Sequence, residues 1–167
     1  MKTLHLLRHA KSAWDNPGLA DRDRPLNKRG QRDAPRMGQA LAARLAPLSI
    51  AVSPARRAQL TLDGLCAGWS ALRDMRHYTE EDLYTFSTDD LLDWIQAQDA
   101  LHPALFMIGH NPGFTDLVNT LCGDYALDNL PTAGYAELSL EVDSWHDVAA
   151  GCGNLAFTLF PKNLPED

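Results

Sequence analysis

The stretch Thr3-Leu4-His5-Leu6-Leu7-Arg8-His9-Ala10 is an apolar run that stops on two basic side chains. Its length suits a short buried strand, and Arg8-His9 marks where that strand ends. The same form recurs twice. Leu48 to Val52 is a second short apolar strand, closed by Ser53-Pro54. Ala104 to Ile108 is a third, broken by Gly109-His110-Asn111-Pro112. Helical patterns follow these strands. Ala34, Met37, Leu41 and Leu45 fall at helix-face spacing, with Pro35 expected to kink that helix or mark its first turn. Ala55 to Leu65 reads as a helix through Ala58, Leu62 and Leu65. Pro112 to Leu121 reads as another, with Asn111 as its N-cap and Pro112 at its first position.

Between these units, Leu72 to Tyr84 is weakly patterned, a short strand and then a loop. Ser87-Thr88-Asp89-Asp90 has the form of a capping box, opening a helix whose buried face is Leu91, Leu92 and Ile95. From Ala136 the pattern changes to strict alternation, with Ala136, Leu138, Leu140 and Val142 on one face and Glu137, Ser139 and Glu141 on the other. Leu155, Phe157 and Leu159 repeat it, as two edge strands or a hairpin would. Strand-helix alternation followed by a hairpin predicts a three-layer α/β/α sandwich. Its central sheet is expected to be mostly parallel, with antiparallel edge strands near the C-terminus. At 167 residues, residues 1–167 are expected to form a single domain.

Composition narrows the class. A 45% hydrophobic and 22% charged chain is an ordinary folded protein. No apolar run approaches the roughly 20 residues that span a bilayer, and the start lacks the pattern of a signal peptide. Cys66, Cys122 and Cys152 are odd in number, widely spaced and without a CxxC pair. They argue against a disulfide framework and for a reducing compartment, so the expected location is cytoplasmic. A net charge of −7 argues against nucleic acid as a partner. Against that balance, Arg22, Arg24, Lys28, Arg29, Arg32 and Arg36 form a dense basic stretch. It reads as a solvated face, as a rim that steers an anionic substrate, or as both. With no exposed heptad, a monomer is the default.

Three polar groupings, Arg8-His9, the Ser53 to Thr61 segment with Arg57, and Gly109-His110, each follow a predicted strand. In open α/β sheets such positions converge at the carboxyl ends of the strands. Two arginines and two histidines at one rim suit a phosphoryl group, since arginine's planar fork takes phosphate oxygens in pairs and histidine can act as a neutral nucleophile. Each feature alone has an ordinary structural reading; their combination and order carry the case. Other phosphatase chemistries lack their residues. Across five intervening residues from each cysteine, where a cysteine phosphatase needs arginine, stand Leu72, Asp128 and Thr158. Asp21-Arg22-Asp23 follows no apolar strand, no glycine-rich phosphate loop is present, and no HxxxH or CxxC supplies a metal site.

Leu7-Arg8-His9-Ala10 resembles the Arg-His-Gly motif of the histidine phosphatase, or phosphoglycerate mutase-like, superfamily, with Ala10 in the glycine's place. Ser53-Pro54-Ala55-Arg56-Arg57-Ala58-Gln59-Leu60-Thr61 is similar to its second motif and puts the second arginine on Arg57. Gly109-His110 resembles the third. Together with Asp23-Arg24-Pro25-Leu26-Asn27-Lys28-Arg29-Gly30, the chain looks like the short SixA-type phosphohistidine phosphatase branch. The resemblance implies a phosphatase working through a covalent phosphohistidine on His9, with Arg8, Arg57 and His110 around the phosphoryl group and neither cofactor nor metal. It also implies an acidic proton donor in the middle segment, for which Glu81 is the candidate and Asp82 its neighbour. Asp15 stands where mutases often carry Asn. The expected substrate is a phosphohistidine on a partner protein. The alternatives are a small phosphorylated metabolite, such as a sugar phosphate or nucleotide, and a non-catalytic phosphate-binding regulatory module.

Overall fold

Leu4, Leu6 and Leu7 are all inaccessible to solvent in the first strand, β1 (Lys2–Arg8). The computed structural model, which describes residues 1–165, accounts for this by placing β1 inside a six-stranded sheet. The other strands are β2 (Ala51–Val52), β3 (Tyr78–Thr79), β4 (Ala104–Gly109), β5 (Tyr135–Leu140) and β6 (Gly153–Leu159). Their order is β3-β2-β4-β1-β5-β6. The pairs β3·β2, β2·β4 and β4·β1 are parallel, while β1·β5 and β5·β6 are antiparallel. Strands covered on both faces carry near-continuous apolar runs, which is the form of β1 and of Phe106-Met107-Ile108.

Helices cover both faces. On one lie α1 (Lys28–Ala42) and α2 (Arg56–Gly68), packing Met37, Leu41, Ala58 and Leu65 against Leu7, Val52, Phe106 and Ile108. On the other lie α3 (Thr88–Gln96) and α4 (Gly113–Cys122), packing Ile95, Phe114 and Leu117 against Leu4, Leu6 and Met107. Burying each such side chain is worth roughly 1.5–3 kcal/mol. The result is the α/β/α sandwich the sequence predicts, including its antiparallel C-terminal pair. No helix among the described residues is long and apolar enough to cross a membrane.

Local details depart from the sequence pattern for identifiable reasons. Pro35 is not in the first turn: α1 begins seven residues earlier, where the Asn27 side chain accepts from the Gly30 N–H at 2.9 Å. Leu45 lies beyond the end of α1 and packs on the same core from outside it. The Ser87 hydroxyl makes no cap hydrogen bond, because Thr85 Oγ1 donates to Asp90 at 2.7 Å and accepts from the Ser87 N–H at 3.1 Å. Asn111 does cap α4, taking the Thr115 N–H and hydroxyl at 3.1 and 3.0 Å, one position earlier than a formal N-cap. Helices α1 and α2 approach backbone to backbone. A Cβ on Gly38 would lie 2.3 Å from the Leu65 carbonyl oxygen, and one on Gly68 would lie 2.0 Å from that of Pro35. That contact, near the C-terminal end of α2, holds the helix against α1, and Arg57 sits in the first turn at its other end.

Candidate active site

The carboxyl ends of β1, β2 and β4 are neighbours in the sheet, so the segments leaving them meet. The His9 N–H donates to the Gly109 carbonyl at 3.1 Å and the Ser53 N–H to the Ile108 carbonyl at 3.0 Å. Thr61 ties α2 to the β1 exit: its hydroxyl accepts the Ala10 N–H at 2.9 Å and donates to the Arg57 carbonyl at 2.7 Å. Ala133, held in the left-handed region at φ 58°, gives its N–H to the Arg8 and His9 carbonyls at 3.0 and 3.1 Å. A non-glycine residue there costs on the order of 1–3 kcal/mol, tolerated where surrounding bonds hold it.

The two imidazoles face each other with ring centroids 5.2 Å apart and planes inclined at 52°. Arg57, 2% exposed, lies alongside both. Its Nε donates to His9 Nε2 at 3.4 Å, and its Nη2 is 3.4 Å from His110 Nδ1. A guanidinium can only donate, so both ring nitrogens must present lone pairs. His9 therefore carries its proton on Nδ1, which donates to the Ala10 carbonyl at 2.7 Å. His110 carries its proton on Nε2, which donates to Ser53 Oγ at 2.7 Å. Burial, with the neighbouring cations adding to it, pushes both imidazoles down to about 3, so both are neutral near pH 7. Arg8 gives Nη1 to the Leu130 carbonyl at 3.0 Å, but its buried Nε has no partner among the described residues. A buried cationic N–H of this kind, on the residue next to His9, is chemically suited to an anion's oxygen.

Asp21, in a short 3-10 turn (Asp21–Asp23), stands at the half-exposed edge of this cluster. Its Oδ2 accepts from Arg57 Nη2 at 3.1 Å and from the Tyr84 hydroxyl at 2.6 Å; its Oδ1 accepts from Arg24 Nη2 at 2.8 Å. Burial works to raise its pKa, but the bonds from Tyr84, Arg24 and Arg57 prevail and hold it well below the usual carboxylate range. Tyr84 and Phe86 each place a ring 5.5 Å from that of His110.

The structure thus brings Arg8, His9, Arg57 and His110 together and leaves Glu81 apart. Glu81 is exposed and makes a two-pronged pair with Arg22 at 2.9 and 3.1 Å. That guanidinium lowers its pKa, the opposite of what an acid at neutral pH needs. Asp82 and Asp15 are exposed as well. The basic stretch divides: Arg24 is buried against Ser12 and Asp21, whereas Arg29, Arg32 and Arg36 surround the buried Asp33 of α1. Tyr84 and Phe86 lie in no motif, and Asp21 enters the sequence reading only through Asp21-Arg22-Asp23, a pattern set aside because no apolar strand precedes it. Ser53 stood inside a quoted motif, but its bond to His110 did not follow from it. An apolar cavity of about 480 Å³ lies at the other end of the sheet, between Leu48, Tyr78, Trp94 and Pro103, away from all of these groups.

Residues 4–92 match the family described as the histidine phosphatase superfamily (branch 1). An uncharacterized protein of Mycobacterium tuberculosis is 31% identical across 93% of this chain and 100% of its own length. An uncharacterized chloroplastic protein of Arabidopsis thaliana is 29% identical across 91% of this chain and 72% of its own. Among solved structures, an Agrobacterium tumefaciens protein assigned as the phosphohistidine phosphatase SixA superposes with a TM-score of 0.77. It is 26% identical, covering 96% of this chain and 98% of the other.

Proposed function

This chain belongs to the histidine phosphatase superfamily and is a histidine-type phosphatase; from that premise we propose that it is a protein phosphohistidine phosphatase whose nucleophile is His9. The observation that carries the assignment is the Arg57 guanidinium beside both imidazoles, which fixes the His9 tautomer with its proton on Nδ1 and its basic lone pair on Nε2, held by a long 3.4 Å contact that an incoming phosphoryl group would replace. In the first half-reaction His9 Nε2 attacks phosphorus in line. Arg57 and the unpartnered Nε of Arg8 take equatorial oxygens. A bound phosphoryl dianion raises the pKa of His110, which then takes a proton on Nδ1 and donates to a third oxygen. Positioning and charge stabilisation are most of what phosphoryl transfer requires. In the second half-reaction water attacks phosphorus, the P–N bond returns its electron pair to Nε2, and both hydrogens of the water leave on inorganic phosphate.

The choice of substrate rests on the leaving group. Asp21, at the edge of the cluster, and Glu81, the candidate acid, are both held ionised, so neither has a proton for an alkoxide. A phosphorylated imidazole protonated on its second nitrogen needs none. We place the enzyme in the cytoplasm, acting as a monomer of one domain on a phosphorylated partner protein. Rapid-quench labelling tests the chemistry: acid-labile, alkali-stable phosphate is expected on His9 during turnover and not in His9→Ala. The substrate class is tested by kcat/KM, expected at least about tenfold higher for N-phosphohistidine than for phosphoserine. Equal or reversed values overturn it.

A further inference from the structure

We propose that Asp21 is the specificity-determining residue of this site, accepting the free ring N–H of the phosphorylated imidazole as that ring departs. The inference rests on the phosphohistidine reading above and adds to it a named contact for the leaving group.

Two observations put Asp21 on the leaving-group side, and a third gives it the capacity to accept there. Along the Arg57 guanidinium, Nε faces His9, while Nη1 and Nη2 face the Asp21 carbonyl and carboxylate at 2.7 and 3.1 Å. That direction also runs from buried to accessible: His9 is 7% exposed, whereas the Asp21 side chain is 46% exposed. In-line attack sends the leaving group away from the nucleophile, hence outward and toward Asp21. Finally, the carboxylate has acceptor capacity left. Among the described residues its Oδ2 takes two donors, Arg57 and Tyr84, and its Oδ1 takes one, Arg24. A carboxylate oxygen offers two lone pairs, so Oδ1 has one free.

The chemistry of an ionised, half-exposed acceptor is selective. It can receive an N–H and cannot supply a proton. As His9 Nε2 bonds to phosphorus, the P–N bond of the substrate breaks and its electron pair returns to the departing nitrogen. The proton stays on the other ring nitrogen, hydrogen-bonded to Asp21 Oδ1, and the ring leaves as neutral imidazole. The positive charge passes to the His9 ring, whose Nδ1–H is held by the Ala10 carbonyl at 2.7 Å. Asp21 would thus do for the substrate ring what the Ala10 carbonyl does for His9. An alcohol leaving group meets a carboxylate with nothing to give it.

The test compares N-phosphoimidazole, its N-methylated analogue (phosphoryl on one nitrogen, methyl on the other) and p-nitrophenyl phosphate on purified enzyme. Methylation removes the N–H while making the ring an intrinsically better leaving group. On the unaltered enzyme the methylated substrate is expected to be about tenfold poorer in kcat/KM than N-phosphoimidazole, the loss of one charge-assisted hydrogen bond. In Asp21→Asn that difference is expected to vanish, and N-phosphoimidazole to lose about tenfold more than p-nitrophenyl phosphate. A methylated substrate that is equal or faster on the unaltered enzyme overturns the proposal without any variant. So does an Asp21→Asn enzyme that loses equally on all three, because Asp21 then serves only to position Arg57. Failure of the phosphohistidine reading itself shows separately, as no preference of the unaltered enzyme for N-phosphohistidine over phosphoserine.

Discussion

His5 and His9 are supplied by the same strand and its exit, and both are nearly inaccessible, at 5% and 7% exposure. Both have pKa values lowered, burial being the largest cause in each. Their partners differ. His5 Nδ1 meets the Tyr135 hydroxyl at 2.6 Å, and that hydroxyl donates to Glu137 at 2.8 Å. Glu137 is in turn paired with Arg44 at 3.2 Å, and Arg44 lies 3.6 Å over the Phe157 ring. Phe106 and Tyr135 stack on His5. Each charge there has an opposite charge within the protein. Around His9 the charges facing the ring are Arg8 and Arg57, two cations, and among the described residues the Arg8 Nε–H has no acceptor. Burial and a displaced pKa therefore do not tell a structural histidine from a reactive one. Whether the surrounding polar groups are complete without a ligand does.

The largest expected effect breaks the open side. Arg57→Ala removes the donor common to both imidazoles and is expected to lower kcat by about 10²–10³, measured with p-nitrophenyl phosphate. Removing that charge should also raise the pKa values of His9 and His110, visible in an NMR titration of their ring protons. If kcat falls less than about tenfold, Arg57 is not in the reacting shell. On the closed side, Tyr135→Phe strips both His5 and Glu137 of a bond. It is expected to cost about 1–3 kcal/mol of stability by denaturant unfolding, with kcat within about twofold of the parent. A large loss of kcat with no loss of stability would tie the two regions together and end the contrast.

Acid sharpens it further. His9 and His110 titrate at about 3 in the folded protein, against about 6.5 when unfolded. Between those values the unfolded chain binds more protons, so stability falls as pH drops from about 6.5 toward 3 and is flat with respect to these groups above 6.5. His9→Ala should give a shallower slope in that window. Inorganic phosphate, whose charge favours the protonated rings, should likewise flatten it. A slope unchanged in both experiments would show that His9 is not held neutral by its surroundings.

Much of this was legible in the chain because it is local. Each of the strands ending in Arg8-His9, Val52-Ser53 and Gly109-His110 ends on its polar residues, and the rule that such ends converge needs no coordinates. Capping was legible only where a side chain had no competitor. Asn27 holds Gly30, whereas Ser87 lost Asp90 to Thr85, a residue outside the pattern. What stayed hidden depends on contacts remote in sequence. Asp21 meets Tyr84 across 63 positions and Arg57 across 36, and neither loop has a periodicity that would announce the meeting.

The smallest expected effect concerns the residue for which that limit mattered most. The resemblance implies an acid in the middle segment and Glu81 is its candidate, but a place in the chain gives no account of where the carboxylate points. In the fold it spans the rim to Arg22, joining the same two loops that Asp21 and Tyr84 join. An exposed pair of this kind contributes little, so Glu81→Gln is expected to change kcat/KM by less than about threefold on phosphoserine. A general acid would cost about 10²–10⁴, and on an alcohol leaving group the loss would be greatest because an alkoxide needs a proton far more than a nitrophenolate does. Phosphoserine is thus the substrate on which a concealed role for Glu81 would be easiest to see. A hundredfold loss there, absent with p-nitrophenyl phosphate, would mean that the Arg22 pair opens during turnover and that this rim belongs with the reacting cluster.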